Sequence, residues 1–310
     1  MNNTVKATLA ALLSNAIFGF SFLFSKLALD HAEPSILLSI RFITAFTLMN
    51  LLLLSGKQKI AFRGKPVGKL LLMGLIQPVI YYVCETNGIA LTTASFSGIM
   101  IGLIPVAGLI LGVVFLKERC TVLQVLFTLL SVLGVSLTTT GGLGSFSLPG
   151  FLYLLGAVMA AAAFTVISRS ISAWFSPFER TYVITAMGTT VFTGMALVQN
   201  RVDPAAWLRP LSQGGFWAAV LYLAVGSSVC GFLLYNYAVN HLSAGRTLIL
   251  SNFTSVVSVL AGILILKDAF TGLQLLGIVL ILISVFGVSW QSGKQVEEAW
   301  PSCFTVQALL

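Results

Sequence analysis

Long apolar runs separated by short polar gaps fill most of the chain, and ten of them approach the ~20 residues that a helix needs to cross a ~30 Å hydrocarbon core. They cover 7–28, 35–55, 69–91, 94–116, 121–140, 149–171, 178–199, 214–239, 245–266 and 271–290. The runs predict helices, because an open strand in lipid leaves its backbone unpaired and a barrel needs alternating segments of about ten residues. The pattern also repeats. Lys26 and Pro34 return as Arg169 and Pro177, both at an offset of 143. Ala94, Gly112, Leu116-Lys117-Glu118 and Leu123-Gln124 return as Ala244, Gly262, Leu266-Lys267-Asp268 and Leu273-Gln274, all at an offset of 150. Two copies therefore stand in tandem, 1–146 and 147–290, followed by a tail at 291–310. Each copy carries five runs, and an odd number of crossings inverts the second copy. The halves are then related by a pseudo-two-fold axis in the membrane plane, as in alternating-access carriers. The predicted fold is an all-α membrane protein with ten transmembrane helices in two inverted five-helix repeats.

Composition excludes a water-soluble globule. Mean hydropathy is +0.99, and charged residues make up 8% of the chain against roughly 25% in a soluble domain. The net charge of +8 reads as membrane topology rather than as a nucleic-acid surface. The loop after the second run holds Lys57, Lys59, Arg63, Lys65 and Lys69 with no acidic residue, which places it in the cytosol. Counting outward puts twelve basic residues on the inner side and four on the outer, with Arg41 left inside a span. Both termini are then cytosolic in a multi-pass protein of the cell membrane. The corresponding second-copy loop, 200–213, has shed most of its positive charge, as an inverted copy requires. The first run is too long for a signal-peptide core and has a counterpart in the sixth, so it reads as a retained span.

Cys84, Cys120, Cys230 and Cys303 share no metal-ligand or redox spacing, and no cofactor is expected. Small residues recur at helical steps in two runs: Gly98-x3-Gly102 and Gly108-x3-Gly112 in the fourth, and Ser251, Ser255, Ser258 and Gly262 in the ninth. Such faces let helices approach closely.

Ionisable groups inside spans are costly and mark candidate function. Arg41 lies seven residues from Pro34, and Glu85 seven residues from Thr92, both roughly 10 Å deep at 1.5 Å per residue. Their equal depth predicts an Arg41–Glu85 ion pair, either bordering a cavity or fixing one end of the bundle. Asn15, Tyr81, Tyr235, Asn236 and Asn252 add hydrogen-bonding groups at mid-span, and Glu85 aligns with Tyr235 at offset 150. With Arg41 and Glu85 they form the candidate substrate-binding set. Helix glue is the alternative role for each. Lys117-Glu118 and Lys267-Asp268 fall at helix ends as latches or as plain interfacial charges.

The order of motifs resembles a known family. Phe18-Gly19, Ser25-Lys26, Pro34 and Arg41-Phe42 are followed by Tyr81-Tyr82, Gly88-Ile89-Ala90-Leu91-Thr92-Thr93-Ala94-Ser95, Ile104-Pro105, Leu116-Lys117-Glu118, Gln124 and Gly134-Val135. Over residues 7–290 the chain is similar to the EamA-type branch of the drug/metabolite transporter superfamily. That resemblance implies a central cavity, alternating access and export of small solutes, commonly amino acids or other metabolites. The partners it implies are a small-molecule substrate and the lipid bilayer. Protons are a candidate coupling ion, and monomer and homodimer both stay open.

Other classes fare worse. Uptake uses the same architecture as export. An intramembrane serine hydrolase would rest on Gly226-Ser227-Ser228 and His241, but Ser228 and His241 are thirteen residues apart, roughly 20 Å along one helix. That separation is too long for a base to reach its nucleophile. A channel needs rings of charge or carbonyl groups. No phosphate-binding loop motif for an ATP-driven pump is present.

Overall fold

The computed structural model describes residues 3–56, 58–116, 147–201, 204–242, 247–248, 250–267, 271–273 and 275–284, with scattered residues between 122 and 137 and Gly287. Most of the fifth predicted span, both halves of Lys117-Glu118, Asp268 and the tail lie outside the described residues. Among the described residues, six helices are long and apolar enough to cross a membrane. They are α1 (Asn3–Leu29), α2 (Pro34–Leu54), α3 (Val67–Ala90), α6 (Leu148–Ser170), α7 (Pro177–Gln199) and α8 (Gly214–His241). The fourth predicted span is split at Gly102–Leu103 into α4 (Ala94–Ile101) and α5 (Ile104–Leu116). Shorter apolar helices α9 (Asn252–Leu266) and α10 (Leu275–Ser284) follow. The protein is an all-α membrane protein.

Local chemistry sets the helix starts. Proline stands at the first turn of α2 and α7, where its missing N–H costs nothing. Ser176 and Glu179 form a reciprocal capping box on α7, and Thr93 Oγ1 accepts from Phe96 N at the start of α4. The helices are amphipathic in a lipid sense. On α1, Leu9, Leu13, Phe20 and Leu27 are exposed along one stripe, while Ala7, Ala11, Ser14, Phe22 and Ser25 are buried on the other. The bilayer covers the first face, and small or polar residues mediate packing on the second.

Packing exchanges the two copies. Helix α1 packs on α8, and its counterpart α6 packs on α3; α2 packs on α7, and α4 on α9, each against its own counterpart. The basic residues at the ends of α1 and α6 repeat the relation. Lys26 Nζ donates to the carbonyls of Ile89 and Thr92 at the C-terminus of α3 (3.2 and 2.7 Å). Arg169 Nη1 donates to those of Val239 and Asn240 at the C-terminus of α8 (2.7 and 2.9 Å). Each cation satisfies orphan carbonyls and meets the negative end of a helix dipole. The two small faces meet each other: Gly98 lies against Ser258 and Gly102 against Ser255, while Ser258 Oγ donates to Ala94 O.

The basic loop before α3 is also tied down. Lys65 Nζ bonds Glu179 Oε1 at 2.8 Å, the one ion pair among the described residues, and Ala61 N donates to the same oxygen. The loop between α2 and α3 thus meets the start of α7 at one end of the bundle.

Candidate functional site

Helix α3 is interrupted at its middle. Residues Leu75–Ile80 form a wide π-type turn in which Gln77 is extended (φ −128°, ψ 108°), and the Gln77–Pro78 peptide is cis. Its counterpart α8 carries a π-type stretch at the matching place, Tyr222–Gly231. Gln77 of the first segment and Phe232, directly after the second, line a cavity whose empty space of about 560 Å³ includes open solvent. Helices from both copies line it: α1, α3, α4, α5, α6, α8 and α9, with Ser251 just ahead of α9.

Six aromatic rings dominate the wall: Phe18, Tyr81, Tyr82, Phe164, Phe232 and Tyr235. Phe18 lies 5.3 Å from Phe232 and 6.1 Å from Tyr235 between ring centroids, and Phe164 stacks on Tyr235 at 6.0 Å. Tyr81 meets Tyr82 edge-on at 5.0 Å. Some polar lining groups are already engaged. Tyr235 Oη and Thr165 Oγ1 are 2.7 Å apart. Asn15 Nδ2 donates to Ala11 O, and its Oδ1 accepts from Thr254 Oγ1 at 3.0 Å, which joins α1 to α9.

Three groups have capacity to spare. Gln77, Tyr81 and Glu85 follow one another at four-residue steps, and all line the cavity. Among the described residues, neither the Gln77 amide nor the Tyr81 hydroxyl has a hydrogen-bond partner. The Glu85 carboxylate accepts only from Thr86 Oγ1, at 3.3 Å. Glu85 is the sole charged side chain of the described lining.

The predicted site set divides. Asn15, Tyr81, Glu85 and Tyr235 come together around the cavity, whereas Arg41, Asn236 and Asn252 are buried outside its lining. The expected Arg41–Glu85 ion pair does not form. Equal depth does not set which way a side chain turns, and Arg41 turns to α8. Its Nε donates to Ser228 Oγ (2.8 Å), and its Nη2 donates to Tyr82 Oη (2.9 Å) and Ser227 Oγ (3.0 Å). Its guanidinium also sits 4.4 Å from the Tyr82 ring centroid. Arg41 therefore braces the back of a cavity residue against the irregular stretch of α8. Tyr82→Phe keeps the ring and deletes an acceptor of this cation, so it is expected to cost about 1.5–3 kcal/mol. A thermal unfolding midpoint in detergent equal to that of the parent would show that the hydroxyl does not hold Arg41.

Asn236 belongs to a second network. Its Oδ1 accepts from Ser168 Oγ (3.0 Å), and its Nδ2 donates to Thr181 Oγ1 (3.1 Å). At its centre is Arg180, which the charge pattern treats only as a topology marker. Arg180 is fully buried. Its Nη1 donates to Ser168 O and Oγ, and its Nη2 to Asn236 O and Asn240 Oδ1. Gln77, Tyr82 and Thr254 are lining residues that sequence reasoning missed. The Gln77-x3-Tyr81-x3-Glu85 spacing is the signal that points to the first.

The sequence matches the EamA-like transporter family twice, over residues 5–140 and 148–290. It is 33% identical over 296 residues to the Uncharacterized transporter YcxC of Bacillus subtilis (strain 168), covering 94% of this chain and 95% of that protein. An Uncharacterized transporter of Archaeoglobus fulgidus is 24% identical over 290 residues, covering 90% of this chain and 99% of that protein. The WAT1-related protein At1g44800 of Arabidopsis thaliana is 22% identical, covering 75% of this chain and 70% of that protein. A solved crystal structure with 17% identity superposes with a TM-score of 0.66, covering 92% of this chain and 98% of the other, and shares the fold.

Proposed function

The chain belongs to the EamA-like transporter family, and from that premise we propose that it is a secondary carrier exporting a small polar metabolite by alternating access. The observation that carries the reading is the cavity lined from both copies, with Glu85 the one acidic or basic residue of its described lining. In this reading the chain crosses the cell membrane ten times as two inverted copies, 1–146 and 147–290. Both termini are cytosolic, and one copy rocks against the other around the site. The exchange of helix contacts between copies supports the two-fold relation. Glu85 contacts the solute or carries the coupled proton, Tyr81 and Gln77 orient the solute, and Asn15 and Tyr235 shape the wall. Arg41, Asn236 and Asn252 support these from behind. Uptake rather than export is the same machine run against a different gradient.

A hydrolase reading gains nothing from the geometry. Ser227 and Ser228 accept from Arg41, a cation that offers no general base, and His241 is exposed with its Nδ1 2.9 Å from Tyr237 O. The test compares metabolites in cells and medium with and without induced expression, with a Glu85→Gln strain in parallel. Export predicts a small solute enriched in the medium only when the intact protein is made. Enrichment in the cells instead reverses the direction, and identical profiles in all three strains overturn the carrier reading.

A further inference from the structure

The charge balance of the cavity narrows its ligand. A site for a zwitterion or an anion needs a cation or a cluster of N–H donors facing the carboxylate. Arg41 is the one basic residue within the second span, and it is turned into the α2–α8 contact with Ser227, Ser228 and Tyr82 as partners. Among the described lining residues none is basic. Lys26 and Arg169 are committed to helix-end carbonyls, and Arg180 to Ser168, Asn236 and Asn240. The unpartnered groups of the lining are therefore one carboxylate, Glu85, and two neutral groups that both donate and accept, the Gln77 amide and the Tyr81 hydroxyl. Around these stand six aromatic rings whose faces attract a desolvated cation.

A carboxylate in such a wall has no protein counter-ion within ion-pair distance among the described residues. An ionised carboxylate away from water needs a partner, and the empty volume in front of it is where a partner would come from. We propose that the solute carried is an organic ammonium: one positively charged nitrogen on an aromatic or similarly bulky apolar body. The ammonium sits at Glu85 and the body among Phe18, Phe164, Phe232 and Tyr235. This rests on the carrier reading and narrows its solute to an amine or quaternary cation, in place of the amino acids that the resemblance implies. A free carboxylate on the same body would meet Glu85 and the ring faces, both repulsive to it.

Three probes of one body and different charge separate the classes: phenyltrimethylammonium, L-phenylalanine and 3-phenylpropionate. Binding is read by calorimetric titration of the full-length protein in detergent, and movement by flux into proteoliposomes. The cation is expected to bind at least about ten-fold more tightly than either carboxylate-bearing probe. Glu85→Gln should erase that preference, and Glu85→Asp, which keeps the charge, should retain most of it. A monodisperse size-exclusion profile for both variants separates loss of recognition from loss of fold. Equal or tighter binding of L-phenylalanine or 3-phenylpropionate, no binding of any probe, or a preference that survives Glu85→Gln overturns the assignment. Cation binding without flux sinks the carrier reading and leaves the ligand class standing. Flux of L-phenylalanine with no preference for the cation does the reverse.

Discussion

Arg180→Ala is expected to cost about 1–3 kcal/mol for each buried acceptor it leaves without a donor, enough together to remove most folded protein from detergent extracts. The side chain is fully buried between α6, α7 and α8. Its two terminal nitrogens serve four acceptors, two of them backbone carbonyls, at Ser168 and Asn236. Truncation would strand those carbonyls and the Asn240 side chain in a space that alanine cannot fill, and unmet buried acceptors carry a full desolvation cost. Arg180→Lys keeps the charge without the planar fork, so it should fall between alanine and the parent. The measurement is the thermal unfolding midpoint of purified protein for the three side chains. An alanine variant as stable as the parent would mean that water or a shifted Asn240 replaces the guanidinium.

The second large effect is steric. Gly19→Val is expected to lower stability by about 1–3 kcal/mol or more and to stop transport. A Cβ on Gly19 would lie 2.6 Å from Val257 Cβ and 2.8 Å from Thr254 O. Neither atom is the far end of a flexible side chain, so α1 would have to move away from α9. That movement pulls apart the Asn15–Thr254 hydrogen bond on the cavity wall. Gly19→Ala already meets both contacts and should show a smaller loss of the same sign. Midpoints and flux measured together decide the matter: a stable, active valine variant would mean that the α1–α9 contact is looser than these distances require.

The helices were legible in the sequence because their cause is local. Twenty-residue apolar runs, Pro34 and Pro177 at first turns, and the Ser176–Glu179 box each act within one segment. The 143 and 150 offsets carried the duplication, and the family matches residues 5–140 and 148–290 separately. The facing of side chains was only partly legible. Tyr81 and Glu85 share a face by their spacing, so both reach the cavity together. Arg41 matched Glu85 in depth, yet rotation about α2 is set by α7 and α8, and spacing along one helix says nothing about that. Arg180 hid because a basic residue three positions after a proline looks interfacial, and only the partners Ser168, Asn236 and Asn240 reveal it as buried.

The interleaving of the copies bears on how the protein is made. Helix α1 packs mainly on α8 and α9, which emerge from the ribosome some two hundred residues later. Until then the polar face of α1, with Ser14 and Asn15, and the Glu85 face of α3 lack the second-copy helices that will cover them. The first copy made alone would present that polar surface to lipid, where membrane quality control removes it. The two copies made as separate chains should therefore accumulate only when produced together.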